Sequence, residues 1–163
     1  IFAFLAILIL LILIFRSINA GFIGILPLLF AVICTFGIMG FTGIKLNIVT
    51  ALLSSISIGV GVDYTIHLFW RLKTEIRAGK NMEEAVQKTL ITTGRGIVIN
   101  AFSVIVGFAV LFLSVFPYLK MFATLIILSL FLCLICALIL IPAICIVTKP
   151  AFLYKNTNSK YHE

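Results

Sequence analysis

Charged residues are scarce in this sequence, and acidic residues are scarcer still. Only 10% of the 163 residues are charged, five of them are Asp or Glu, and 63% are hydrophobic, whereas an ordinary globular domain has about 25% charged residues. A soluble fold could not bury so much apolar surface. The composition therefore excludes an ordinary soluble domain and predicts that lipid forms much of the chain's surroundings.

Cysteine and histidine are also sparse, and their placement argues against metal or redox chemistry. All four cysteines lie in apolar stretches, and no histidine follows them at zinc-finger spacing. Cys133 and Cys136 have C-x-x-C spacing, but the strand-helix context of a redox motif is missing. The net charge of +7 comes from scattered residues and not from one basic patch with interleaved aromatics. We expect no metal, no cofactor and no nucleic-acid partner.

Five apolar runs approach the roughly 20 residues that a helix needs to cross the hydrocarbon. They predict an all-α membrane protein, with a transmembrane domain over residues 1–148. The first run is short and shows neither a preceding basic region nor a cleavage site, so we expect a truncated helix and a missing N-terminal part. The five predicted crossings span about residues 1–15, 22–41, 48–70, 96–116 and 121–147.

One long polar segment separates the third crossing from the fourth. Within it, Asn81 and Glu84 have the spacing of a helix N-cap and N3 residue, and apolar residues then recur at helical intervals until Gly94. This pattern predicts an amphipathic helix over about residues 82–93, lying on the cytoplasmic membrane surface beside the five-helix bundle. Residues 149–163 have the composition of a polar C-terminal tail.

The basic residues are unevenly divided between the two sides of such a domain. Five crossings place ten of the 12 on one side and leave Lys45 and Lys120 on the other. By the positive-inside rule the ten face the cytoplasm, together with the tail. The ten are Arg16, Arg71, Lys73, Arg77, Lys80, Lys88, Arg95, Lys149, Lys155 and Lys160.

Asp63 is the single acidic residue inside a predicted crossing. It lies eight residues before Arg71, which corresponds to about 12 Å along a helix. Aspartate at the centre of a membrane helix costs roughly 2.5–3.5 kcal/mol and marks a functional site by default. The alternative is a carboxyl that only holds helices together.

Helical spacing predicts which residues accompany Asp63. Gly59 lies one turn before it and His67 one turn after it, on the same face. A stripe of small and polar residues on the fourth crossing could supply hydrogen bonds if it faces Asp63. For the stripe, ordinary helix packing is an equal alternative, and His67 could be a snorkelling residue. The stripe consists of Asn100, Ser103, Gly107 and Ser114.

A lone carboxyl in hydrocarbon suits proton transfer better than hydrolysis. Burial favours its neutral form, so it can load and release protons. Intramembrane aspartyl proteolysis needs two carboxyls that share a proton, and Asp63 is the only aspartate in the chain. A membrane-embedded enzyme is therefore the weaker alternative, and we expect a secondary active transporter.

Two strings in the sequence resemble the resistance-nodulation-division (RND) superfamily of exporters, in its MMPL-like branch. They are SSISIGVGVDYTIHLFWR and TTGRGIVINAFSVIVGFAVLFLS, and the resemblance covers nearly the whole chain. It implies that a G-x-x-x-D-Y element carries the proton relay, which maps onto Gly59, Asp63 and Tyr64. His67 would be a cytoplasmic proton port, and Gly61 a helix-packing glycine together with Gly59 and Gly107.

The resemblance also implies what surrounds the chain. It would correspond to the last five helices of an exporter in the cytoplasmic membrane of a prokaryote, with the porter domains and the N-terminal half missing. Such an exporter uses the proton gradient to move lipids or other hydrophobic or amphiphilic molecules. Membrane lipids, that substrate and the N-terminal half would be partners, and a homo-oligomer is compatible with it. The rival is a sterol-sensing or protein-export accessory module of the same architecture.

Overall fold

The computed structural model describes residues 2–44 and 48–154, and every element in these ranges is helical. The all-helical prediction is confirmed for these ranges. Lys45, one of the two basic residues expected on the outer side, and the tail beyond residue 154 lie outside them. In chain order the elements are α1 (Phe2–Phe15), α2 (Ile18–Thr42), α3 (Ile48–Arg77), α4 (Met82–Thr89), a π-helical turn (Leu90–Gly94), α5 (Arg95–Ala109), a 3-10 turn (Val110–Leu113), α6 (Pro117–Thr148) and α7 (Ala151–Tyr154).

Three helical stretches of the described chain are long and apolar enough to cross a membrane. They are Ile18–Thr42, Met82–Leu113 and Pro117–Thr148, while Phe4–Phe15 forms a shorter apolar helix. The membrane prediction is thus supported by three spans. The first and third of the five predicted crossings, which correspond to α1 and α3, stay predictions.

The centre of the bundle consists of α2, α3 and α6, which pack against one another. On this centre, α1 lies against α2 and α3, and α5 lies along α6. The short helix α4 packs against α3 and α6. In consequence α3 is covered on the side of α2 and α6 and keeps one uncovered face.

Small residues allow the central helices to approach closely. A Cβ atom on Gly61 of α3 would overlap Sγ of Cys133 in α6 and Cδ2 of Leu28 in α2. On α2, a Cβ atom on Gly24 would lie 2.9 Å from Cγ2 of Thr65. The Thr65 hydroxyl also donates to the Gly24 carbonyl oxygen, at 3.4 Å. These positions require glycine because the neighbouring helix occupies the space of a side chain.

The amphipathic segment forms a helix whose buried residues are Met82, Ala85, Val86 and Thr89. Its apolar side packs on α3 and α6, and its place on a membrane surface stays a prediction. The helix does not stop at Gly94, which has right-handed φ and ψ of −57° and −43° instead of the left-handed geometry of a glycine cap. The chain continues through the π-helical turn into α5, because Gly94 packs against Leu138 and needs no turn there.

The ends of the last two long helices also differ from the predicted limits. The fourth crossing ends at Leu113 and not near residue 116, because Ser114 is extended with ψ 146°. Pro117 then starts α6 four residues before the predicted position, as expected of a proline in the first helical turn. The predicted tail begins with α7, whose Phe152 and Leu153 are buried.

Candidate functional site

Asp63 lies on the uncovered face of α3. The exposed residues of this face recur every three or four positions, as on one side of a helix. Within the described part of the chain, no side chain forms a hydrogen bond or ion pair with Asp63. We call this surface the Asp63 face; it comprises Leu52, Ile56, Gly59, Asp63, His67 and Trp70.

Tyr64 lies on the covered side of α3. Successive helix residues are about 100° apart, and Tyr64 is only 1% exposed inside the bundle. Its hydroxyl has no hydrogen-bond partner among the residues the structure describes. The structure therefore places the two members of the Asp-Tyr pair in different environments, and a relay between them stays a prediction.

Of the three predicted packing glycines, only Gly61 meets another helix in the described chain. A Cβ atom on Gly59 or Gly107 would have no atom within 4 Å. Gly59 thus forms a shallow notch one turn from Asp63, and Gly107 lies on an exposed side of α5. Contacts of these two glycines would require a surface from outside the described residues.

The polar stripe of α5 is exposed and is not joined to Asp63. Asn100 and Ser103 both face outward, and the Ser103 hydroxyl donates to the Ile99 carbonyl oxygen of its own helix at 2.9 Å. No hydrogen bond links the stripe to Asp63 within residues 48–154. A supporting role for Asn100 and Ser103 therefore stays a prediction.

A second stripe on α3 was not singled out from the sequence, apart from Gly61. Ser57, Gly61 and Thr65 follow one another at intervals of four residues and face the other central helices. The Ser57 and Ser129 hydroxyls form a buried hydrogen bond of 2.7 Å between α3 and α6. Small residues at four-residue spacing are the signal that could have found this contact.

Beyond the predicted crossing, one buried carboxylate organises the turn from α3 to α4. Glu75 is 5% exposed and forms ion pairs with Arg71, at 2.5 Å, and with Lys80. The hydrogen bond from Lys80, helped by the charges of Arg71 and Lys88, lowers the pKa of Glu75 below its usual value although burial opposes this. The turn is therefore held by a charged cluster.

The described residues contain no group of three or more His, Cys, Asp or Glu side chains that could hold a metal ion. The cysteines in these ranges are free thiols. Asp63 is the one carboxyl that the described residues place within a predicted crossing, and His67 lies one helical turn beyond it.

The chain is similar to several membrane proteins of known sequence. A protein of Methanocaldococcus jannaschii, named only as a membrane protein, is 34% identical over 88% of this chain and 37% of its own length. A Mycolicibacterium smegmatis protein named as a mycolic acid-containing lipids exporter, MmpL11, is 28% identical over 59% of this chain and 10% of its own. The Mycobacterium tuberculosis protein named as a heme uptake protein, MmpL11, is 27% identical over 85% and 15%.

The chain thus spans little more than a third of the first of these relatives and a far smaller part of the other two. No solved structure gives a significant match to it. The profile of the MMPL family, however, matches residues 1–160. Together with the three apolar spans, this match shows that the chain is part of an integral membrane protein and belongs to the MMPL family.

Proposed function

We propose that this chain forms the membrane half of a proton-driven RND exporter of lipids or other hydrophobic or amphiphilic molecules, with Asp63 as the proton carrier. One observation carries the proposal. Asp63 lies in a predicted crossing, on the exposed face of α3, and no described side chain compensates its charge. The name of the M. smegmatis relative, a lipids exporter, supports the cargo class.

In the proposed mechanism the charge state of Asp63 influences the position of α3. A carboxyl at the centre of a membrane helix costs roughly 2.5–3.5 kcal/mol, and the charged form is disfavoured more than the protonated form. The charged form therefore favours a hydrated or polar environment, and the neutral form favours an apolar cover. A proton gradient can then bias α3 between two positions, because each protonation state stabilises a different one.

Tyr64 and its neighbours connect this switch to the rest of the bundle. On the other side of α3, Ser57 and Gly61 contact α6 through Ser129 and Cys133. A shift of α3 at Asp63 would therefore also shift its contact with α6. In the proposed cycle Tyr64 tunes this relay from inside the bundle and does not hold the proton itself.

The Asp63 face also indicates which partner is needed. Leu52 and Trp70, near its two ends, are 57% and 64% exposed, so the face is open along its length. In the natural protein the N-terminal half, or a second copy of this chain, would cover it and could bring donors close to the carboxyl. Gly59 would then receive a side chain of that partner, and His67 would pass protons to the cytoplasm.

Two other functions can be distinguished from lipid export by experiment. A sterol-sensing or protein-export accessory module would bind or regulate without transport driven by the gradient. The name of the M. tuberculosis relative, a heme uptake protein, suggests a different cargo and the opposite direction. The Asp63 face carries the apolar side chains of Leu52, Ile56 and Trp70, which suits an apolar or amphiphilic cargo. The name of the M. smegmatis relative favours export of lipid over the other two functions.

The test measures gradient-driven flux by the full-length protein in reconstituted vesicles. A fluorescent phospholipid and haemin are supplied in separate experiments, and the proton gradient is imposed in each direction. Asp63→Asn keeps the size of the side chain but cannot ionise, so lipid flux should fall to the protein-free level. Asp63→Glu should retain partial flux, and Tyr64→Phe should be intermediate. The matched control Glu84→Gln removes an exposed carboxylate outside the predicted crossings and should leave flux unchanged.

Three results of these flux experiments would contradict the proposed function. Wild-type lipid flux in correctly folded Asp63→Asn would show that Asp63 is a packing residue. Gradient-independent lipid binding without flux would favour the accessory module. Inward movement of haemin without outward movement of lipid would replace export by uptake.

A further inference from the structure

The chain turns back onto the bundle directly after α6. Lys149 ends α6 in the left-handed conformation, with φ 40° and ψ 60°, and its N–H donates to the Cys145 carbonyl oxygen at 3.0 Å. Pro150 follows and cannot continue the helix, because it has no N–H to donate. The Leu153 N–H then donates to the Pro150 carbonyl oxygen at 3.1 Å. The segment α7 is therefore a separate helical turn and not an extension of α6.

The buried side chains of α7 join the ends of α1 and α3. Phe152 is 4% exposed and Leu153 is fully buried. The ring centroid of Phe152 lies 6.0 Å from that of Phe15, the last residue of α1, and 5.3 Å from that of Phe69 in α3. The rings of Phe15 and Phe69 also contact each other, at 5.4 Å. Three rings from three helices thus meet edge to face where the first and third predicted crossings end.

This aromatic cluster restrains α3 close to Asp63. Phe69 is fully buried, and its ring also lies against α2, where a Cβ atom on Gly24 would be 3.2 Å from Cε2 of Phe69. Phe69 follows Asp63 by six residues, which is about 9 Å along a helix. The sequence of α3 contains no proline that could bend it between these two positions. Holding Phe69 in place therefore limits how far α3 can move at Asp63.

The attachment of α7 combines a small gain with a comparable cost. Docking buries two apolar side chains, but it also orders four residues and holds Lys149 in a conformation that is unfavourable for a residue with a side chain. By contrast, α6 packs against α2, α3 and α5. A segment with so few buried contacts can open locally while the rest of the bundle stays folded.

We propose that α7 is a releasable latch, which holds the ends of α1 and α3 to α6 when it is docked and lets α3 move when it is released. Release would open the contacts of Phe152 with both helices in one step. The effect on proton-driven movement of α3 rests on the proposed function. The docking and release of α7 do not depend on transport and are tested without it.

The test measures backbone hydrogen exchange of the purified full-length protein in lipid nanodiscs by mass spectrometry. Phe152→Ala removes the ring that α7 contributes to the aromatic cluster. The matched control, Tyr154→Ala, removes a ring from the same helical turn that is 52% exposed. Exchange is followed in peptides from α7, from the ends of α1 and α3, and from the middle of α6.

Burial of a phenylalanine side chain corresponds to about 10- to 100-fold in the equilibrium between docked and released α7. Exchange in α7 and at the ends of α1 and α3 should therefore rise by at least about 10-fold in Phe152→Ala, while the middle of α6 stays unchanged. Tyr154→Ala should raise it by less than about threefold, as expected of a surface substitution.

A second comparison uses the wild-type protein alone, so it remains valid even if Phe152→Ala does not fold. The amides of α7 should exchange at least about 10-fold faster than the middle of α6, because release is a local opening. They should also exchange at least about 10-fold more slowly than the same amides in a free peptide of residues 150–154, because the docked state is the main one.

Four results would overturn the inference. Exchange of wild-type α7 as slow as that of α6 would make it a permanent part of the core, and exchange as fast as that of the free peptide would mean that it does not dock. Equal changes in Phe152→Ala and Tyr154→Ala would show that the aromatic cluster does not hold α7. A rise in Phe152→Ala that is equally large in α6 would mean general destabilisation. Because none of these measurements involves flux, failure of the transport proposal would leave them unaffected.

Discussion

Replacing Gly61 with alanine should destabilise the bundle through one added methyl group. The new Cβ atom would overlap Cys133 and Leu28, which are both 1% exposed and have little space to move. Overpacking of this kind costs about 1–3 kcal/mol. Alanine regains up to about 1 kcal/mol of helix propensity over glycine, so the net loss should be about 0–2 kcal/mol.

A matched glycine separates the two effects. A Cβ atom on Gly37, in the C-terminal part of α2, would have no atom within 4 Å, so Gly37→Ala should be neutral or stabilising by up to about 1 kcal/mol. The difference between the two variants removes the helix-propensity contribution and leaves about 1–3 kcal/mol for the overlap. Thermal unfolding of the purified full-length protein in detergent measures this difference.

A double variant tests the cause of the loss. Adding Cys133→Ala to Gly61→Ala removes one of the two overlapping atoms and should restore part of the stability, by at least about 0.5 kcal/mol. Equal stability of Gly61→Ala and Gly37→Ala would refute the close approach of α3 to α2 and α6. A double variant that is no more stable than Gly61→Ala would show that Cys133 is not the obstacle.

The remaining predictions concern orientation and the turn from α3 to α4. Cysteines at positions Lys80 and Lys120 should be labelled by an impermeant thiol reagent from the cytoplasmic and the outer side, respectively. Val86 is 6% exposed, so Val86→Lys should raise protease sensitivity around α4 by on the order of 10-fold, whereas Gln87→Lys, on the exposed side, should not. Because Lys80 lowers the pKa of Glu75, the stabilisation it gives is present above the unfolded value of about 4.3 and is lost as pH falls through the lower folded value. Spin-label mobility on α4 should therefore rise below about pH 4.

Each of these predictions has a result that contradicts it. Labelling of position 80 from outside in intact cells would reverse the orientation. Equal protease sensitivity of Val86→Lys and Gln87→Lys would mean that α4 is not packed on the bundle. Unchanged α4 mobility in acid, or wild-type mobility in Glu75→Gln at neutral pH, would show that the charged cluster does not hold the turn.

How far the sequence predicted the structure depended on whether water or lipid surrounds a segment. In the polar segment, Met82, Ala85, Val86 and Thr89 recur at helical spacing, and these four residues are the buried ones. An amphipathic pattern is informative there because water rejects the apolar side. Gly94 was expected to end this helix, but its contact with Leu138 depends on tertiary packing that the local sequence does not show.

Within the apolar runs, hydrophobicity could not predict which side of a helix faces the bundle. Leu52 and Leu53 are adjacent and chemically identical, yet they are 57% and 1% exposed. Lipid and protein interior are equally apolar, so no alternation distinguishes the two sides. The sequence therefore identified Asp63 as the candidate site but did not reveal that Tyr64, its neighbour on α3, is buried inside the bundle.

Arg16 and Lys73, which line one cavity at the ends of α1 and α3, illustrate the same difficulty for charged groups. Arg16 is 57 residues before Lys73 in the sequence, and both were predicted to lie on the cytoplasmic side. Their convergence depends on how α1 packs beside α3. Positive-inside counting gives the side of the membrane and not the distance between individual charges.

The central claim, that Asp63 carries the transported proton, is tested most directly by following protons and not cargo. Vesicles containing the full-length protein are loaded with a pH-sensitive dye, no gradient is imposed, and the fluorescent phospholipid is added to start transport. The wild-type protein should move protons in the direction opposite to the lipid, and Asp63→Asn should move none while remaining folded. Proton movement of wild-type size in Asp63→Asn would contradict the account.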